Sequence, residues 1–222
     1  MISLEQLSLV IDRLRRHPEP LGGIPLDDHI AWQESVGVPG SAEDFARETI
    51  WVICNSGMKH TIARQIYDRC TEALQAGLPV SSSARDLIDP SLPKVFGHPG
   101  KSQAIDGIWR DRTRLFTEYL AAPDKVAFCG SLPWIGGVTK YHLAKNFGAD
   151  VAKPDVHLQR LADHWGSTPQ SVCERLGNAA GYRAATIDLI LWMACAKGVI
   201  DSVSGQIVPE KVPNSDVGLE FA

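Results

Sequence analysis

Apolar residues recur at three- and four-residue spacing over 3–16, 42–54, 58–76, 102–121, 138–147, 156–165, 168–177 and 181–197, the signature of amphipathic helices. Few stretches alternate as strands do, so the pattern predicts an all-α chain. Helix breaks are expected where turn residues gather: "HPEPLGG" at 17–23, "GVPGS" at 37–41, "AAPD" at 121–124 and "GADVAKPD" at 148–155. The stretch 76–101 reads as the longest loop, with room for short helical turns. The tail "DSVSGQIVPEKVPNSDVGLEFA" loses helical periodicity and is expected to pack along the surface or fray.

Composition narrows this picture. The chain has 222 residues, 44% of them hydrophobic, enough to bury a core in one domain or in two small lobes that share an interface. Its apolar runs end far short of the roughly 20 residues that a membrane helix needs. The first residues, "MISLEQLSLVIDRLRRHPEP", read as an amphipathic helix and not a signal peptide. No membrane span and a cytoplasmic location are therefore expected. Cys54, Cys70, Cys129, Cys173 and Cys195 are odd in number and widely spaced, which argues against a disulfide framework or a metal site. A net charge of −4 counts against binding nucleic acid through bulk electrostatics, so any DNA contact must be local. Basic residues gather at Lys59, His60 and Arg64, at Arg110, Arg112 and Arg114, and at Lys140, Lys145 and Lys153. A solvated helix face is the ordinary explanation for any one of these groups.

The most informative stretch is "GSLPWIGGVTKYHLAKNFGADVAKPDVHLQRLA", residues 130–162. A short helix near 124–130 and one beginning near Val138 flank a turn in which Leu132 and Ile135 can bury. Gly136 and Gly137 there allow a sharp turn and a close approach by another surface. Backbone N–H groups near 135–138 sit at a helix N-terminus, a ready anion site. Asp155 follows Pro154 and takes the N-cap position of the next helix. A cap carboxylate at the mouth of a cleft could also activate water or stabilise positive charge on a sugar ring.

Leu132, Pro133, Ile135, Gly136, Asp155 and His157 fall at matching positions of the helix-hairpin-helix and Asp signature of the DNA glycosylase superfamily, which this segment resembles. Trp134 stands where that signature carries its first hairpin glycine. "ETIWVICNSGMKHTIARQIYDRC" (48–70) and "GNAAGYRAATIDLILWMACAKG" (177–198) are more weakly similar to other helices of the same fold. The wording "LPWIGGVTKYHLAKNFG…KPDVHL" looks closest to a branch termed α-glutamyl/putrescinyl thymine pyrophosphorylases, linked to hypermodified phage DNA. In that branch the implied substrate is a bulky modified pyrimidine, processed during modification or excised as antiviral defence.

The resemblance implies a two-lobed fold, with a central helical lobe at about 35–150 and a second lobe from 1–34 plus 151–222. It implies a monomeric DNA glycosylase that flips a base out of duplex DNA, hydrolyses its N-glycosidic bond and leaves an abasic site. Asp155 would be the catalytic carboxylate. Trp134, Ile135, Gly136, Gly137, Val138 and Lys140 would meet the DNA backbone. Ser56, Met58 and Lys59, with Asn55, would fill the gap left by the flipped base. Phe128, Trp134, Trp51 and Trp192 are the candidate walls of the base pocket, with Asp188 as an acceptor for a base edge; Trp109 and Tyr141 are weaker candidates. Lyase members of the family carry a lysine at the position held here by Val138, and Lys140 points elsewhere on its helix, so hydrolysis alone is expected. No iron–sulfur cluster and no metal held by side chains are expected, though hairpin carbonyls could bind a monovalent cation. His60 would touch phosphate or only water, whereas His142 and His157 read as structural. The alternative is a DNA-binding module without catalysis, in which Asp155 is only a cap.

Overall fold

The computed structural model describes residues 1–19 and 21–210. Twelve α-helices, a single 3-10 turn (Leu21–Gly23) and one two-stranded ribbon make up the secondary structure of these residues, so the chain is helical as its periodicity predicts. None of these helices is long and apolar enough to cross a membrane.

Helix α1 (Leu4–Arg15) starts on a capping box in which Ser3 accepts from the Gln6 N–H and the Gln6 side chain accepts from Ser3. Its buried stripe is Leu7, Val10, Ile11 and Leu14. Helix α2 (Leu26–Ser35) is absent from the sequence expectation. Its buried positions are Leu26, Ile30 and Gln33, and the polar third member erases the apolar period that would have revealed it. Helix α3 (Ala42–Asn55), capped by Ser41, buries Phe45, Ile50, Val52 and Ile53. It packs against α4 (His60–Gln75), α6 (Pro99–Arg110), α7 (Arg112–Ala121) and α9 (Thr139–Asn146).

The stretch 76–101 holds a short helix, α5 (Ser82–Ile88), in keeping with the short helical turns expected there, and ends on the first turn of α6, capped by His98. One expectation about this half needs correction. The single helix expected over 102–121 is broken at Asp111, whose carboxylate accepts from Arg110 and Arg114. Its neighbour α8 (Lys125–Ser131) is tied back to the end of α7 by Lys125 Nζ, which donates to the carbonyls of Tyr119 at 2.6 Å and Leu120 at 2.9 Å.

Beyond α9 come α10 (Val156–His164), α11 (Pro169–Ala180) and α12 (Ala184–Ala196). α12 is apolar on nearly all sides and is buried as the centre of its own cluster. The tail does not simply lie along the surface: Ile200–Asp201 and Gln206–Ile207 pair antiparallel, with Ile200 opposite Ile207. The rest of the expected surface tail, 211–222, lies outside the described residues.

Buried side chains form two clusters. One runs from Phe45 to Phe147 through α3, α4, α6, α7, α8 and α9. The other joins α1 and α2 to α10, α11 and α12. They meet along one seam, where Arg183 donates to the carbonyls of Gln33 at 2.8 Å and Gly148 at 2.5 Å. At the same seam a β-carbon on Gly148 would lie 2.8 Å from the backbone of Gly37, at a φ of +85°, so only glycine fits.

Candidate functional site

The seam opens into a cavity of about 340 Å³, of a size suited to a small organic ligand. α2 contributes His29, Trp32 and Gln33 to its wall. α3 and the turn after it contribute Trp51, Asn55 and Met58, and His60 begins α4. α9 supplies His142, Lys145 and Asn146, while Lys153, Asp188, Leu189 and Trp192 close the far side. Three tryptophans from three helices thus line the cavity together with polar side chains.

The aromatic walls are held from behind. Arg64 lies 4.4 Å over the Trp51 ring, and His60 meets the same ring edge-on at 5.4 Å. The 3-10 turn crosses above His60, and a β-carbon on Gly22 would come within 3.2 Å of that imidazole. Desolvation, then Arg64 and His29, push the His60 pKa below its usual value. Burial, aided by Lys153 and Lys145, pushes His142 down to about 3, so its imidazole is neutral at physiological pH. Desolvation raises the Glu48 carboxyl behind Asn146, whose amide donates to it at 2.6 Å.

Lys145 and Asp188 form a buried ion pair between the two clusters, with side chains 9% and 1% exposed. Asp188 Oδ1 also accepts from the Lys153 N–H at 3.1 Å. Each oxygen of this carboxylate therefore has one partner at the seam, and the residue also lines the cavity.

Asp155 caps α10, with Oδ1 accepting from the His157 N–H at 3.0 Å and the Leu158 N–H at 3.1 Å. Oδ2 faces Lys153 Nζ at 3.4 Å, and Lys153 itself lines the cavity with Nζ 5.9 Å from the Trp192 ring. The carboxylate thus stands one lysine away from the cavity wall. His157 Nδ1 lies 3.2 Å from Ser202 Oγ, tying α10 to the ribbon.

In the hairpin, Leu132 and Ile135 are buried as expected. The left-handed residue is not a glycine: Trp134 has a φ of 66°, whereas Gly136 and Gly137 do not have positive φ. Such a conformation costs a side-chain-bearing residue about 1–2 kcal/mol. It is offset by packing, since the indole meets His98 edge-on at 4.9 Å and lies where a β-carbon on Gly100 would be, 2.5 Å from Cζ3. A β-carbon would meet only Thr139 Oγ1 at 3.7 Å from Gly136 and nothing within 4 Å from Gly137. Among the described residues no contact and no positive φ requires either to be glycine. The Gly136 N–H is taken up by Thr139 Oγ1 at 2.7 Å, and in the first turn of α9 the Lys140 and Tyr141 N–H groups donate to the carbonyls of Gly136 at 3.0 Å and Val138 at 3.2 Å.

The remaining candidates divide cleanly. Trp51, Met58, Asn55, Trp192, His60 and Lys145 come together in the cavity. Phe128 does not line it; the ring packs in the first core 5.8 Å from Tyr119 and 6.5 Å from Phe45. Trp134 also lies away from it, over Gly100. Trp109 sits under Arg112 at 4.6 Å, and Lys140 Nζ lies 5.2 Å over Tyr141. Lys59 is exposed at the N-cap of α4. Beneath this turn the buried Lys101 donates to the Ser56 carbonyl at 2.6 Å. His29, Trp32, Gln33 and Asn146 were missed by sequence reasoning, the first three because α2 itself was missed. Among the described residues no group of three His, Cys, Asp or Glu side chains is placed to hold a metal ion. No family profile, curated protein or solved structure matches the chain.

Proposed function

We propose that the chain is a monofunctional DNA glycosylase that hydrolyses the N-glycosidic bond of a damaged or modified base flipped out of duplex DNA. The observation that carries this reading is the tryptophan-lined cavity at the seam, flanked by Asp155 on one side and by the turn Asn55–Met58 on another. A flipped base needs apolar faces to replace its lost stacking partners, and Trp51 and Trp192 offer them. Gly136 and Gly137, which no contact among the described residues requires, keep a surface bare for a phosphate backbone beside the N-terminal end of α9.

Asp155 has one oxygen fixed by α10 and the other held only by Lys153, so Oδ2 is the oxygen free to turn towards a sugar. As the C1′–N bond breaks, its electrons leave with the base and positive charge grows on the sugar, where the carboxylate stabilises it. Water then adds at C1′, its proton passing to Asp155 or the departing base. Exchanging Asp155 for asparagine keeps a cap of similar strength, so folding and DNA binding persist. Base release, read by mass spectrometry from duplexes carrying varied modified bases, should fall about a hundredfold or more. Undiminished release by Asp155→Asn contradicts the reading. Borohydride should trap no protein–DNA adduct.

A further inference from the structure

Gln33 has no part in the sequence expectations, yet its side chain is 1% exposed, lines the cavity and leaves its amide nitrogen without a hydrogen-bond partner. Burying a donor unpaired is costly, and such groups in native proteins call for an explanation. The backbone of Gln33 is meanwhile fixed, because its carbonyl accepts from Arg183 at the seam. In the same wall the ammonium groups of Lys145 and Lys153 each face a carboxylate, Asp188 and Asp155. The carboxylate in that wall, Asp188, has one partner on each oxygen, the Lys145 ammonium and the Lys153 N–H.

We propose that Gln33 reads the flipped base, its amide donating to a carbonyl oxygen, so that the cavity takes keto-edged bases in preference to amino-edged ones. The inference rests on the glycosylase reading and deepens it. A carbonyl oxygen satisfies the orphaned amide, whereas an exocyclic amino group in that place leaves the amide unpaired and sets one donor against another. A site built to pair a polar group rejects the analogue that cannot supply it, because its own buried group is then stranded.

The test varies that edge of the base. Hypoxanthine and adenine share a ring system and differ at the 6-position, keto against amino, and in the proton on the adjacent N1; uracil and cytosine differ likewise at the 4-position and N3, and the Gln33 variants separate the keto contribution from that of the ring nitrogen. Each base is placed in a mismatched duplex on a 2′-fluoro sugar that resists cleavage, and binding to the full chain is measured by anisotropy. The wild-type protein should bind each keto member about tenfold more tightly than its amino counterpart, the worth of one hydrogen bond and its stranded alternative. Gln33→Met, close in shape, and Gln33→Leu should abolish that preference while leaving thermal unfolding unchanged or raised, since an unpaired buried amide has been removed. Equal binding of keto and amino members by the wild-type protein, with mismatched duplexes still preferred to paired ones, overturns this inference alone. An intact keto preference in both Gln33 variants also overturns it. Binding that never distinguishes mismatched from paired DNA overturns the inference together with the glycosylase reading.

Discussion

Replacing Lys145 with methionine removes one partner of the buried ion pair and keeps most of the aliphatic stem. Asp188, 1% exposed, is then left with the Lys153 N–H at 3.1 Å as its remaining polar contact. Removing one partner of a buried pair costs about 3–5 kcal/mol, because the surviving charge stays desolvated. Against a total stability of about 5–15 kcal/mol this is a large fraction. For a chain of this size it corresponds to a fall in Tm of about 6–20 °C. Urea unfolding followed by far-UV circular dichroism and by tryptophan fluorescence measures it, with a free energy taken when the two transitions coincide. The double variant Lys145→Met, Asp188→Leu should recover most of the loss, since a buried pair exchanged for apolar groups is often neutral. The Lys153 N–H then goes unpaired, which keeps recovery short of complete by about 1–2 kcal/mol. A Lys145→Met variant within about 0.5 kcal/mol of wild type, or a double variant no better than the single, refutes the account of the seam.

Two other outcomes follow from the same geometry. His142 titrates near 3 when folded and near its ordinary 6.5 when unfolded, so between those values the unfolded chain binds more protons and stability falls as the pH is lowered. His142→Gln should lose less stability than wild type between pH 6.5 and 5; Glu48, whose raised pKa acts in the opposite sense, is common to both proteins and drops out of the comparison, and parallel curves would sink the assignment. Gly100→Ala puts a β-carbon 2.5 Å from Trp134 Cζ3 and must push the indole off α6. The loss of roughly 1 kcal/mol of aromatic packing should alter tryptophan emission and weaken duplex binding severalfold; unchanged emission and affinity would show that the Trp134 contact is not what shapes the hairpin.

Much of the fold was legible from the chain. The helices around Phe45, Leu143 and Leu158 announce themselves because an amphipathic period survives wherever one face is buried against a core. Asp155 could be placed as a cap from Pro154 and the apolar period that follows it, because capping is a local matter. α2 was illegible because Gln33 occupies a core-facing position, and a polar residue there breaks the very period that signals a helix. The break at Asp111 was hidden because the residues on both sides of it are good helix formers.

The sequence by itself determined the helical class, the cap at Asp155 and the hairpin with its buried Leu132 and Ile135, since each depends on residues close along the chain. Only the tertiary structure decided which aromatics share a cavity. Trp51 and Trp192, far apart in the chain, face one space, while Phe128 and Trp134, adjacent to the hairpin, turn to the core and to Gly100. Which way a ring faces depends on the packing of whole helices against one another, and no local pattern encodes that. The pairing of Lys145 with Asp188 across 43 residues and the isolation of the Gln33 amide are consequences of the same seam. Nearness along the chain predicts caps and turns; nearness in space, fixed by two cores meeting, sets the chemistry of the cavity.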